Sequence, residues 1–269
     1  ILASLVLVSR SARPVISAHR LARAMQGVLG GCGGVRPALL KARGIFTGAT
    51  VAPNTIMEEA RSALKARLAA AGSTPSGTDV VEGKPSDAIV NVAKHRGCDL
   101  IVLGSQPREG SELILGTTAT NILRLSGGMD LYACHRPDPH TPIDRITVAI
   151  DGSRLSSRVL SAAQDLSSVT RDGDAPEIQV VCVVDGNENR SGAAVAAARR
   201  FLEPTAWNDL RVCVETEGVV DTLEEAIRDF DSDLLIIGAG RNTGLGWAIG
   251  STTNSLLHEI SCDVLVTSR

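Results

Sequence analysis

Aromatic side chains are nearly missing: 269 residues hold 1 tyrosine, 2 tryptophans and 3 phenylalanines. Base-stacking platforms for nucleic acid need such rings, and the charge balance offers no substitute. Against 30 acidic residues stand 27 basic ones, a formal net charge of -3 with a pI near 6.0, whereas nucleic-acid binders carry a basic footprint. No nucleic-acid partner is expected. Paired cysteines are missing too. Cys32, Cys98, Cys134, Cys182, Cys213 and Cys262 form no C-x-x-C pair. Most lie in apolar runs such as "QVVCVV", the pattern of buried free thiols in a reducing compartment. His19, His95, His135, His140 and His258 lack metal-ligand spacing, so no metal site is expected. No apolar run reaches the roughly 18 residues of a membrane span, which excludes a membrane partner of that kind. The opening "ILASLVLVSR" is read as a buried first strand, because it has no basic leading stretch and is short for a signal peptide's core. A cytoplasmic location is the resulting expectation.

What the chain does have is apolar residues, 43% of the total, enough for one large domain or two of ordinary size. It also has a repeat. "CDLIVLGSQPREGSELILGTTATNIL" from Cys98 is echoed by "SDLLIIGAGRNTGLGWAIGSTTNSLL" from Ser232. Asp99 pairs with Asp233, Gly104 with Gly238, Gly116 with Gly250 and Thr118 with Thr252, at a constant offset of 134 (238 − 104; 250 − 116). A gapless offset across strand, loop and helix marks two similar units in tandem. The boundary is "HRPDPHTPID", His135 to Asp144, whose three prolines block helix and ladder alike. The expected units are therefore 1–135 and 145–269, joined by a linker over 136–144.

Apolar runs alternate with helical patterns in both units. Strands are expected in the second at 146–150, 178–184, 211–216, 233–238 and 263–267, with helices near 155–169, 190–203, 219–231 and 251–260. The first has strands near 3–8, 37–42, 79–82, 99–104 and 130–134, and helices over 54–71, 85–96 and 117–126. This alternation predicts an α/β fold, a parallel sheet with helices on both faces.

The glycine-rich stretch "GAGRNTGLGWAIGSTTN", Gly238 to Asn254, leaves the fourth strand of the second unit. Glycines allow close backbone approach to a ligand, and Ser251, Thr252 and Thr253 open a helix whose free N–H groups favour an anion. An ordinary N-cap after a tight turn accounts for the same residues. Known phosphate loops fit poorly. A dinucleotide fingerprint belongs after a first strand, and a Walker A loop needs a lysine that this segment lacks. "SGGMDL" from Ser126 is similar to an ATP-pyrophosphatase loop, but it lies between a late helix and the last strand and reads better as a connector.

With these motifs in place, the chain resembles the universal stress proteins. Their pattern is G-x-x-G-x(9)-G-[ST] after the fourth strand and an Asp closing the first; "GKPSDAIVNVAKHRGCDLIVLGS" and "VAIDGSRLSSRVLSAAQDL" carry the likeness over nearly the whole chain. The resemblance implies two Rossmann-like domains, each a five-stranded parallel sheet in the order 3-2-1-4-5. It also implies an adenine nucleotide, ATP or AMP with or without Mg, in members that keep the loop. Carried over, Asp151 sits by the adenosine part, and Gly240, Gly250 and Ser251, with Gly238 and Thr252 beside them, line the phosphate path. Arg241 is either a phosphate contact or a solvated loop residue, and Trp247 is read as packing. Gly240 and Gly250 keep the nine-residue spacing, but Gly238 and Gly240 enclose one residue where the family has two. In the first unit Ser9 and Arg10 replace the Asp-Gly pair, Gln106 and Pro107 break the loop, and Glu109 and Glu112 add negative charge, so that half is expected to be structural.

The expected function is a nucleotide-binding regulatory protein, without enzyme activity beyond slow incidental ATP hydrolysis, whose protein partner is unidentified. The alternative is a tandem scaffold that binds no nucleotide and acts through its surfaces. A third reading, an adenylate-handling enzyme, rests on "SGGMDL" alone. The last strands, "MDLYAC" and "DVLVTS", are expected to pair across the tandem as an intramolecular pseudo-dimer, with homodimerisation left open.

Overall fold

The structure is a computed structural model describing residues 7–9, 62, 81, 84–104, 116–135, 143–167, 176–184, 188–202, 210–214, 218–240, 242–243, 246–247 and 249–268. Its elements run β1 Leu7–Ser9, α1 Pro85–His95, β2 Leu100–Gly104, α2 Gly116–Ser126, β3 Asp130–Cys134, β4 Arg145–Ala149 and α3 Leu155–Ser167. There follow β5 Glu177–Val184, α4 Glu188–Leu202, β6 Leu210–Val214, α5 Val219–Asp229, β7 Leu234–Gly238, β8 Asn242–Thr243, β9 Gly246–Trp247, α6 Ser251–Glu259 and β10 Asp263–Thr267. Apart from β1 and the hairpin β8–β9, these match the expected segments closely, because their apolar runs and helical periodicity are local properties. The strands expected at 37–42 and 79–82, the helix at 54–71 and the linker at 136–142 lie outside the described residues, but for Val81 and Ser62.

All strands except the hairpin join one sheet, in the order β1-β2-β3-β10-β7-β4-β5-β6. The expectation of one sheet per unit changes accordingly. β3 and β10 pair antiparallel, with Leu265 opposite Tyr132, and make the two units continuous. An apolar strand with unpaired backbone groups is a liability, and each unit's last strand covers the other's. In the second unit β6-β5-β4-β7-β10 are mutually parallel. In the first, β2 and β3 are parallel, but β1 runs antiparallel to β2, against the expected all-parallel arrangement. A sheet edge offers its donors and acceptors to a strand of either direction, so the antiparallel pairing satisfies it as well.

The cores follow the faces of this sheet, not the units. On one face Ile101, Leu103, Leu131 and Ala133 pack in one cluster with Leu235, Ile237, Val264 and Leu256. On the other, Leu100, Val102 and Tyr132 pack with Ile146, Leu160, Ile236 and Leu265. Alternate residues of each strand thus serve opposite cores, as the period of two dictates. "SGGMDL" is a connector: Gly127 and Gly128 have φ of 68° and 108° between α2 and β3, a turn favouring glycine.

Buried polar groups at the seam repeat its approximate two-fold symmetry. Asp130 Oδ1 accepts the Ser268 N–H at 2.8 Å, and Asp263 Oδ1 accepts the His135 N–H at 2.8 Å. Each carboxylate at the start of one seam strand thus receives the amide that follows the other. The second oxygens differ: Arg158 Nη2 donates to Asp130 Oδ2 at 3.0 Å, while the phenol of Tyr132 donates to Asp263 Oδ2 at 2.9 Å. Burial pushes the Asp130 carboxyl above the usual carboxylate range, against the pull of the Ser268 amide and Arg158. On the adjacent helices, Thr120 and Asn254, one repeat length of 134 apart, are hydrogen-bonded side chain to side chain at 2.8 Å.

His135 closes this seam with both ring nitrogens buried and unpaired among the described residues. Burial pulls its pKa from 6.5 down to about 4; Asp263 opposes that shift and His258 adds to it. The unfolded chain therefore takes up a proton near pH 6.5 that the folded chain refuses, so stability falls as pH drops from about 6.5 towards 4. At about 1.36 kcal/mol per pKa unit the loss is on the order of 3 kcal/mol. Urea midpoints at pH 7 and pH 4.5 are expected to separate less in His135→Leu than in wild type. Equal separation would remove His135 as the cause.

Candidate functional site

β4 lies between β5 and β7 and is parallel to both. The chain proceeds from β4 to β5 on one side, and from β7 to β10 on the other, so the carboxyl ends of β4 and β7 flank a point where the winding reverses. Open α/β sheets bind ligands at such a point. A cleft of about 1240 Å³ opens there, lined by Asp151 after β4, by Gly238 and Gly240 at the end of β7, and by Gly250, Ser251 and Thr252 at the start of α6. Six of the seven residues expected at a site thus share one cavity. Arg241 lies outside the described residues.

Each residue is held by identifiable contacts. Asp151 is exposed; its Oδ1 accepts the Ser153 N–H at 2.9 Å and the Ser156 hydroxyl at 3.4 Å, which ties the β4–α3 turn to the carboxylate. Gly238 is a packing glycine: a Cβ there would lie 3.2 Å from Leu155 Cβ, so α3 sits directly on the end of β7. Its carbonyl accepts the Thr253 hydroxyl at 2.9 Å, which fixes the first turn of α6 to β7. Ala239 extends the ladder by donating its N–H to the Thr267 carbonyl at 2.8 Å, and its own carbonyl accepts the Gly250 N–H at 3.2 Å.

Gly240 has φ of 99°, and a Cβ on it would collide with the Gly250 backbone, 2.8 Å from its Cα. The loop between them is thereby closed at its neck, and β8 and β9 pair within it as a hairpin, Asn242 opposite Trp247. This closure is the physical reason for glycine at 240. Gly250 is the N-cap of α6, which has no side-chain cap and no acidic residue in its first turn. Such a start presents unpaired N–H groups and the positive end of the helix dipole to whatever fills the cleft.

Sequence reasoning missed the other walls. Val181 and Val183 of β5, Ala193 and Ala197 of α4, and Val219 and Leu223 of α5 supply an apolar side. Arg154, just before α3, lines the cleft beside Asp151. It stood in the quoted "VAIDGSRLSS", but a lone arginine in a turn carries no spacing by which to recognise it. Among the described residues the lining has no histidine, cysteine or lysine. Cys182, buried in β5, has its thiol pushed up to about 11, chiefly by burial and then by Asp151, which makes it a packing residue and not a nucleophile. No helix among the described residues is long and apolar enough to cross a membrane.

Comparison with known proteins agrees with this architecture. No curated protein matches the sequence. Among solved structures, a functionally unknown protein from Pseudomonas aeruginosa aligns at 20% identity and a TM-score of 0.60, covering 78% of this chain and 77% of its own. A universal stress protein from Archaeoglobus fulgidus aligns at 18% identity and a TM-score of 0.60, covering 83% and 84%. Likeness at these identities speaks for the fold. Residues 9–127 and 142–268 each match the model of the universal stress protein family. Two copies in succession, spanning most of its length, show that the chain belongs to the universal stress protein family.

Proposed function

We propose that the second unit binds an adenine nucleotide, ATP or AMP, and that the protein acts through this binding and not as an enzyme. The observation that carries the reading is the joint lining of one cleft by Asp151, the glycine neck and the uncapped start of α6. The parts divide by chemistry. Val181, Val183, Val219 and Leu223 offer an apolar slot for the base, Asp151 an acceptor for sugar hydroxyls, and the α6 start donors for phosphate. Calorimetric titration of the purified chain with ATP and AMP tests this. Wild type is expected to bind, and Asp151→Ala to bind about tenfold or more weakly, the worth of one hydrogen bond to a charged group. Absence of binding of either nucleotide by wild type sinks the proposal.

A specific observation favours the rival, a scaffold that holds no nucleotide. The Ala239 N–H, just after β7, and the Thr253 hydroxyl, in the first turn of α6, are both donated within the fold. Gly238 and Gly240 enclose only Ala239, and that residue belongs to the β10 ladder. The same titration decides between the two.

A further inference from the structure

We propose that Arg154 is the phosphate-reading residue of this cleft, so that the ligand is held by its phosphate charge from the α3 side as well as from α6. The inference rests on the nucleotide reading above and adds a residue and a selectivity to it. Its basis is placement and charge. Among the described lining residues Arg154 is the sole cation and Asp151 the sole anion. Three positions apart, they form no ion pair: the carboxylate is engaged by Ser153 and Ser156, and the guanidinium has no partner among the described residues. Arg199, Arg200 and Arg228 likewise show no ion pair among the described residues but do not line the cleft, whereas three arginines of the second unit are engaged. Arg145 holds Asp231 at 2.9 Å, Arg158 holds Asp130 at 3.0 Å and Arg211 holds Asp229 at 2.9 Å.

The packing of Gly238 against Leu155 sets residue 154 next to the strand end from which the glycine neck departs. A phosphate at the start of α6 therefore lies between a helix dipole on one wall and a guanidinium on the other. Guanidinium matches phosphate with a bidentate fork and keeps its charge at any relevant pH. Asp151 repels the same phosphate, which orients the ligand with its sugar towards Asp151 and its anion away from it. The cleft thus selects a phosphorylated nucleoside over the free nucleoside.

Titrations of the full chain with ATP, AMP and adenosine, on wild type, Arg154→Gln and Arg154→Lys, test this. Wild type is expected to bind both nucleotides more tightly than adenosine. Arg154→Gln is expected to lose about tenfold in affinity for ATP and AMP and nothing for adenosine, with Arg154→Lys in between. Arg154 is exposed, so the variants are expected to keep the wild-type urea midpoint. Unchanged ATP and AMP binding by Arg154→Gln overturns the role of Arg154 and leaves the nucleotide reading standing. An equal loss for adenosine overturns it as well, since charge is then not what is read. Failure of wild type to bind any of the three refutes the nucleotide reading itself, and the role of Arg154 with it.

Discussion

Asp263→Ala is expected to lower the stability of the whole chain by roughly 3–5 kcal/mol, a large share of the 5–15 kcal/mol typical of a folded domain. Asp263 is 1% exposed, and its carboxylate receives the only tyrosine hydroxyl in the chain and the backbone amide of His135. Truncation strands both donors where water does not reach, at about 1–3 kcal/mol each, and leaves a small void besides. Tyr132→Phe removes one donor and leaves the acceptor with its other partner, so its expected cost is only about 1 kcal/mol. Urea unfolding of the two single variants and the double variant reads this directly. In Asp263→Ala the additional loss from Tyr132→Phe is expected to vanish or reverse, because the phenol no longer has an acceptor. A cost below 1 kcal/mol for Asp263→Ala would show that the seam does not depend on this carboxylate.

The second large effect separates two glycines that look alike in sequence. Gly240→Ala is expected to cost roughly 2–6 kcal/mol, combining about 1–3 for a side chain at positive φ with about 1–3 for overpacking. The colliding atoms are backbone, so no side chain can swing aside. Either the chain loses that stability or the neck opens and draws the start of α6 out of place, which is expected to abolish the nucleotide binding proposed above. Gly250→Ala is expected to cost under about 1 kcal/mol. Its φ of −60° suits any residue, and a Cβ there would meet Gly240 Cα at 3.5 Å and Thr253 Oγ1 at 3.8 Å, ordinary contact distances. Urea midpoints and ATP titrations on both variants supply the comparison. Equal behaviour of the two would refute the closed neck.

The difference between these glycines shows where the sequence is legible. Spacing identified both positions, but spacing says nothing about which one touches backbone. Likewise Gly238 reads as a phosphate glycine and proves to be where Leu155 packs, a contact 83 residues distant in the chain (238 − 155). The tandem units and the principal elements were readable because apolar runs, helical periods and a fixed offset are written locally. Asp151 and the α6 start were readable because strand ends and helix starts have recognisable residues. Asp130 and Asp263 were not: an acidic residue opening an apolar strand is indistinguishable from an exposed one until its partner is known, and those partners lie 138 and 128 residues away. The cores escaped for the same reason, since their membership is set by sheet face and not by position along the chain. The direction of β1 depends on the edge it meets, which no local pattern records.

The continuous pairing of β3 with β10 has a consequence for mass action. When two separate copies meet edge to edge, the joint forms and dissolves with protein concentration. Here both edges belong to one polypeptide, and closure is a unimolecular event governed by an effective concentration that dilution does not alter. The second unit can therefore retain a covered edge, and a cleft supported from behind by that edge, at any abundance of the protein. The first unit need carry no site of its own for this to hold, because its last strand is joined to the second unit's within one polypeptide.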